Sequence, residues 1–389
     1  MNTMQGYMRE NGTLGIRNYI LVISTVSCVN SISSKIAQKT GAIAINHEQG
    51  CVEFKDDHKR TVLSISSAGK NPNVAGVLVV GLGCEQTSSQ PLIRSIEATG
   101  KPVEFVRVQD EGGSPEAIQK GIELVEKLQK QASELKRDEC SVEGLVVGVQ
   151  CGGSDWTTAI SGNTVIGRMT DLVVKNGGSV LMSEVAGFPG SEHIVAEQAV
   201  SHEVGLEVFQ MVDELRADFV KDYGQTIEKI NPTPGNKAGG ITTLVEKSMG
   251  NIKKMGSSPI QGLLKLEDKI PYPGLWIVDS RVQGPDQFST SGFAILGANV
   301  TVFSTGRGTP IGNAVMPLIK ITGNPKSYQK LNSILDFNAG VVLEGATIEE
   351  TGEELYKLLL EVASGKQTKS EINENFEFVV PREPKRKVV

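Results

Sequence analysis

The chain has 389 residues, a formal net charge of −6, and only 5% aromatic residues beside 43 glycines. That length exceeds one ordinary core and predicts two domains. The acidic balance, unbroken by a basic stripe, argues against nucleic acid as a partner. The longest apolar stretch, residues 74–84, is about half of what a membrane helix needs, so no bilayer span is expected.

From the N-terminus, Arg17 ahead of the apolar run 19–29 mimics a lipoprotein leader. A Gly-rich polar segment precedes it and the same pattern returns downstream, so a β-strand is the expectation. Aliphatic runs at 19–24, 42–46, 74–80 and 103–108 predict strands, and 91–99 and 114–136 carry helical spacing. The charged stretch 127–143 closes this unit and places a boundary near Cys140, giving domains 1–140 and 141–389. A second series follows. Strands are expected at 144–150, 179–184, 275–279, 300–304 and 318–322, and helices from about 158, over 192–223 and over 348–363. The segment NPTPGNKAGG at 231–240 predicts a loop. The last fifteen or so residues, ending in the basic PREPKRK cluster, read as a tail or an edge element. Strand–helix alternation with many glycines predicts an α/β protein of two mostly parallel, doubly wound sheets with helices on both faces. Five cysteines, an odd number without secretory features, predict free thiols or metal ligands in a cytoplasmic protein.

Several strands end alike, in an aliphatic run, then Cys or Gly, then small polar residues: VISTVSCVN (22–30), VVGLGCE (79–85) and VVGVQCGGSD (146–155). Ligands collect at the carboxyl ends of strands in open parallel sheets. Any one of these cysteines fits a small buried residue. Cys28, Cys51, Cys84 and Cys151 at four such ends point instead to accessible thiols that suit iron, zinc or an iron–sulfur cluster, although no CxxC is present. His47 and Glu48 add harder donors beside Cys51, and His193 follows a strand as a ligand or base. His58 and His202 read as surface residues. The segment STGRGTPIGN (304–313) is either an anion cradle of backbone amides around Arg307 or an ordinary turn. GGSDWTT (152–158) either caps a helix or meets a ligand. No Walker loop, GxGxxG or GxSxG elbow occurs.

Seven segments in one order, GYMRENGTLGIRNY, TVSCVN, GLGCE, QCGGSD, GGITTLVEKSMG, FSTGRGTP and DFNAG, resemble the altronate/galactarate dehydratase family from Gly6 to about Gly340. The resemblance implies a hydro-lyase that converts a sugar acid such as altronate or galactarate to a 2-keto-3-deoxy acid. It also implies iron dependence, as Fe2+ with Mn2+ as a substitute, or as a cluster. Full-length members begin with a small β-clip domain, whereas this chain starts directly at GYMRENG, in what the resemblance makes their second domain. The large subunit of sulfolactate sulfo-lyase departs in the same way, so a separate small β-clip (SAF-type) subunit is expected, within a homo-oligomer. The loop SEVAGFPGSEH at 183–193 replaces the proline- and acid-containing sequence of altronate dehydratases, which leaves the substrate open and keeps elimination of sulfite as the alternative. A non-catalytic sugar-acid-binding subunit is the reading from another class. Within the dehydratase reading, Cys51, Cys84 and Cys151, with Cys28, His47 and Glu85, are expected around one metal. Arg307 and Lys320 are expected on the substrate carboxylate, and Asp155, Thr242, Thr243 and Asp286 on its hydroxyls. His193 and Lys237 are the candidate bases.

Overall fold

A computed structural model describes residues 3–279 and 286–381 and contains three sheets. Strand β1 (Thr3–Met8) pairs antiparallel with β2 (Leu14–Gly15). Strands β3 (Tyr19–Ser24), β4 (Ile43–Ile45), β5 (Val74–Gly81) and β6 (Val103–Arg107) make a parallel sheet in the order β4-β3-β5-β6. Strand β7 (Asp138–Ser141) returns to the free edge of β1. The second large sheet takes β8 (Val146–Cys151), β9 (Ser179–Met182), β10 (Ile260–Leu264), β11 (Leu275–Val278), β12 (Val300–Ser304), β13 (Leu318–Thr322) and β14 (Phe337–Asn338). Its order is β10-β11-β9-β8-β12-β13-β14, again parallel throughout.

Parallel sheets are covered on both faces, and the strand sequences follow: every residue of β5, VAGVLVVG, is buried. On one face of the first sheet, Leu78 and Val80 pack against Ile32 and Ile36 of helix Asn30–Thr40 and Val125 and Leu128 of helix Ser114–Glu134. On the other, Val77 and Val79 share a core with Ile65 of helix Lys55–Lys70, Phe293 of helix Asp286–Ile295, and Trp276 and Phe303 of the second sheet. The outer face of the second sheet is covered by helices Asn163–Lys175, His202–Tyr223 and Ile348–Ala363.

The sheets are also joined by polar groups at their strand N-terminal ends. Asn73 Nδ2 donates to Asn299 O (2.7 Å) and Val315 O (3.0 Å), and Asn71 Nδ2 to Ala294 O (3.0 Å) and Ala298 O (3.1 Å). Both sheets therefore point their carboxyl ends away from this junction. A buried ion pair adds a second clasp. Arg17 Nε meets Glu371 Oε1 at 2.7 Å, and the Arg17 guanidinium also donates to Val362 O and Lys366 O.

The mostly parallel, doubly wound α/β architecture is as the alternation predicts, and Tyr19–Ser24, Val300–Ser304, Leu318–Thr322 and Ile348–Ala363 fall on their predicted bounds. Three elements differ. The small antiparallel sheet β2-β1-β7 arises from segments too short or too charged to signal themselves. Residues 231–240 are not all loop: Pro234–Ala238 is a short helix, because proline is tolerated at the first helical position and Thr233 with Asn236 forms a capping box. The last described residues, up to Pro381, are pinned rather than trailing, with Ala314 N–H donating to Glu377 O and Phe376 and Phe378 packed on the shared core. Most of the basic PREPKRK cluster, from Arg382, lies outside the described residues. No described helix is long and apolar enough to cross a membrane.

Candidate active site

In the second sheet the chain passes from β8 to β9 on one side and later places β12 on the other, so β8/β12 is the switch point where open α/β sheets hold ligands. A cleft of about 590 Å³ opens there. The carboxyl end of β8 supplies Gln150 and Cys151, the end of β9 leads to Glu184, the end of β12 leads to Arg307, and the first turn of helix Asp286–Ile295 supplies Asp286. The lid-like wall at 231–236 is tied down from both sides. Asn236 Nδ2 donates to Ser154 O (3.0 Å), Arg307 Nη1 to Gly235 O (2.8 Å), and Lys247 Nζ to Asn231 Oδ1 (2.7 Å) and Asn236 Oδ1 (3.1 Å).

The floor is a buried charge cluster. Lys254 is 0% exposed, and its Nζ donates to Glu184 Oε2 (2.5 Å), Asn251 Oδ1 (2.6 Å) and Cys151 Sγ (2.9 Å). Burial alone would pull Lys254 down, but Cys151 and Glu184 outweigh it and hold the ammonium above its ordinary range. Burial pushes the Cys151 thiol up, with Glu184 adding to the effect and Lys254 opposing it. The ion pair is Lys254 with Glu184, and Cys151 Sγ accepts from the same ammonium. Glu184 adopts φ 68°, ψ 50°, a left-handed conformation that costs a non-glycine residue about 1 kcal/mol or more and concentrates at functional sites. The Cys151 backbone N–H donates to Glu184 Oε2 (3.1 Å), which helps to hold that turn.

Asp286 faces this cluster. Burial first, and the Glu184 charge second, raise its carboxyl to about 6, against the partial relief of a Gln150 hydrogen bond. Two carboxyls thus differ in environment across one cleft, the pattern by which acid and base roles are separated. Close approach needs glycine: a Cβ on Gly152 would stand 2.1 Å from Asp286 Oδ2. Gln150 Oε1 is buried in the cleft without a hydrogen-bond partner among the described residues.

Of the residues expected from sequence to bind substrate, Arg307 and Asp286 line this cleft, together with Cys151. The others have different work. Lys320 is fully buried and donates to Pro310 O (3.0 Å) and Ile311 O (2.8 Å), pinning the turn after β12 rather than reaching a substrate; burial lowers it to about 8. Asp155 is spent on Thr157 Oγ1 (2.6 Å), Thr158 N–H (3.1 Å) and Asn324 Nδ2 (3.2 Å), which makes it a turn-and-cap residue. Thr242 and Thr243 bond Glu246 in the capping box of helix Leu244–Asn251. The candidate bases His193 and Lys237 are exposed and do not line the cleft. Sequence reasoning missed Lys254, Asn251 and Lys247 altogether, and gave Glu184 no role.

The expected single-ion site needs correction. Cys151 belongs to the second sheet and is engaged by Lys254, whereas Cys28, Cys51, Cys84, His47 and Glu85 sit at the carboxyl end of the first sheet. Both His47 ring nitrogens are engaged, by Ser24 O (2.9 Å) and the Gln49 N–H (3.2 Å). Glu85 accepts from Thr25 Oγ1 (2.9 Å) and the Gly83 N–H (2.6 Å). Among the described residues no three His, Cys, Asp or Glu side chains are placed to share one metal ion.

Comparison with known proteins gives matches along nearly the whole chain. Residues 142–385 match the family described as D-galactarate/altronate dehydratase, C-terminal, and residues 6–133 match D-galactarate dehydratase/altronate hydrolase, second domain. The chain is 34% identical to altronate dehydratase of Bacillus subtilis, over 97% of this chain and 77% of that one. It is 32% identical to the galactarate dehydratase (L-threo-forming) of Escherichia coli, over 94% and 73%. It is also 32% identical to (2R)-sulfolactate sulfo-lyase subunit beta of Chromohalobacter salexigens, over 98% and 97%.

Proposed function

The chain belongs to the D-galactarate/altronate dehydratase family, and on that premise we propose that its cleft removes water from a sugar acid such as altronate or galactarate to leave a 2-keto-3-deoxy acid. The observation that carries this reading is Asp286, a half-buried carboxyl raised to about 6, facing the Lys254–Glu184 pair in a cleft rimmed by Arg307.

Elimination needs a base for the proton beside the substrate carboxylate, a positive charge to stabilise the electrons released, and a proton for the departing hydroxide. Arg307, with its planar donors, and Lys247 suit the substrate carboxylate. Ionised Asp286 takes the α-proton, and the C–H electron pair forms the carbon–carbon double bond as the β-carbon–oxygen bond breaks. The carboxyl then returns its proton to the departing oxygen, so water leaves, the carboxylate is regenerated, and the enol tautomerises to the ketone. A carboxyl near 6 can both accept and return a proton at neutral pH. The Lys254–Glu184 pair presents fixed charge to the same space, and Gln150 Oε1, otherwise unsatisfied, suits a substrate hydroxyl.

The end-to-end match to a chain named as a beta subunit supports a second reading, elimination of sulfite from sulfolactate, and supports a separate partner subunit under either reading. Five free cysteines fit a reducing, cytoplasmic setting. Altronate, galactarate and sulfolactate, each supplied to the chain alone and with its partner subunit, separate these readings. A 2-keto acid from a sugar acid establishes the first, sulfite from sulfolactate the second, and neither product from any of the three refutes both.

A further inference from the structure

The ion pair in the floor of the cleft joins groups 70 residues apart in the chain, and one side chain holds both of them. Asn251 ends helix Leu244–Asn251 and is 2% exposed. Its Oδ1 accepts from Lys254 Nζ (2.6 Å), and its Nδ2 donates to Gly187 O (3.1 Å). Gly187 in turn donates its N–H to Glu184 O (2.7 Å), closing the turn that begins at Glu184. The amide therefore grips the cation directly and the carboxylate through its own backbone turn.

The chemistry of these two contacts restricts the residue between them. An ammonium only donates and a backbone carbonyl only accepts, so the linking group must offer one acceptor and one donor. A carboxylate there would set oxygen against oxygen at Gly187, and an apolar side chain would satisfy neither partner. The fit is close: a Cβ on Gly187 would stand 2.5 Å from Asn251 Nδ2. The helix end is fixed from behind, with Asn163 Nδ2 donating to Gly250 O (2.8 Å) and Thr170 Oγ1 to Lys254 O (2.8 Å). Glu184 needs such a hold, because a left-handed backbone at a non-glycine residue persists only where its surroundings over-determine it.

We propose that Asn251 is a positioning residue for the elimination: its single amide holds Glu184 and Lys254 in register and so fixes the charge that Asp286 faces. This role rests on the dehydratase reading above. The charged groups facing Asp286 are Glu184 beyond β9, Lys247 on the helix that Asn251 ends, and Lys254 just after that helix, with Gln150 reaching it by a hydrogen bond. Without the amide, the Glu184 turn loses its tie to the helix. It then relaxes from its strained conformation and carries its carboxylate away from Lys254 and Asp286. Asn251 contacts no reacting atom in this scheme and acts through the ion pair.

The test compares Asn251→Leu, Glu184→Gln and the double variant in the full chain, with folding followed by thermal melting. Aspartate isotopically labelled at the side-chain carboxyl gives an Asp286 NMR signal, identified by its loss in Asp286→Asn. The proposal predicts that the midpoint of this signal moves toward acid in Asn251→Leu, as far as in Glu184→Gln, and no further in the double variant. On whichever acid the parent converts, kcat falls by about 10- to 10²-fold in Asn251→Leu while KM stays within about twofold. The double variant is no slower than Glu184→Gln alone, as expected of residues that act as one unit. Gly187→Ala pushes the same amide from the loop side and gives the same shift of Asp286, so the prediction survives a leucine variant that does not fold. An Asp286 midpoint unmoved in a folded variant at either position, or kcat losses that multiply in the double variant, overturns the proposal. The carboxyl titration involves no turnover, so its failure is distinct from failure of the dehydratase reading.

Discussion

The account makes Asp286 the group whose ionisation limits the reaction in acid, and this can be worked through quantitatively. Its carboxyl is raised from 3.8 to about 6, by burial first and by the Glu184 charge second. The profile of kcat/KM against pH reports ionisations of the free enzyme, so it should fall on an acid limb centred near 6. At pH 5 about one-tenth of the enzyme carries ionised Asp286, and the rate constant should stand at about a tenth of its plateau. Glu184→Gln keeps the side-chain shape and removes the second cause while leaving the first. Its plateau drops, because Lys254 loses its ion-pair partner, but relative to that plateau the limb should move toward acid. The assay is 2-keto acid formation from about pH 4.5 to pH 8, well above the titration of a sugar-acid carboxyl. A wild-type limb near 4, or a limb that stays at 6 in Glu184→Gln, would refute the reasoning.

Three further outcomes follow from the same geometry. Gly152→Ala drives a Cβ to within 2.1 Å of Asp286 Oδ2 and should displace that carboxyl, costing about 10²-fold in kcat; steady-state rates on a variant with an unchanged circular dichroism spectrum measure it. Arg307→Ala should raise KM for the acid by about ten- to a hundredfold, the worth of a charged hydrogen bond, with a smaller change in kcat. Glu371→Gln should cost about 3–5 kcal/mol in urea denaturation at neutral pH, because it strands the buried Arg17. Burial pushes Glu371 up but Arg17 outweighs it, so the folded carboxyl sits below its ordinary range. Its stabilisation is therefore complete above the unfolded value of about 4.3 and is lost as pH falls through the folded value. Wild-type stability should drop more steeply than that of Glu371→Gln over that acid range.

The parts of the fold that announced themselves were those whose local sequence and tertiary setting agree. β5 is aliphatic on both faces because both faces are covered, and the Gly-rich ends QCGGSD and STGRGTP mark where β8 and β12 deliver their carboxyl ends to one crevice. Cys151 and Arg307 were legible for that reason, whereas Asp286, at the start of a helix after β11, came only with the family resemblance. Lys254 was not. It lies in NIKKMG, a run that looks like a solvated helix end, and it is buried only because Glu184 and Cys151, far away in the chain, close over it. Lys320 misled in the opposite sense. A lysine beside a Gly/Arg turn suggested an anion site, but β13 carries its side chain under that turn to bond the carbonyls of Pro310 and Ile311. The thiols were recognised as a group, yet their division between two sheets depends on strand order, which spacing along the chain does not encode.

The most direct measurement is the turnover of Asp286→Asn on whichever acid the unaltered protein converts, with folding checked by thermal melting. The amide keeps the size of the side chain but cannot take up the α-proton. The account predicts that kcat falls by about 10²- to 10⁴-fold while the protein stays folded. An Asp286→Asn protein that turns over at the parent rate would contradict it.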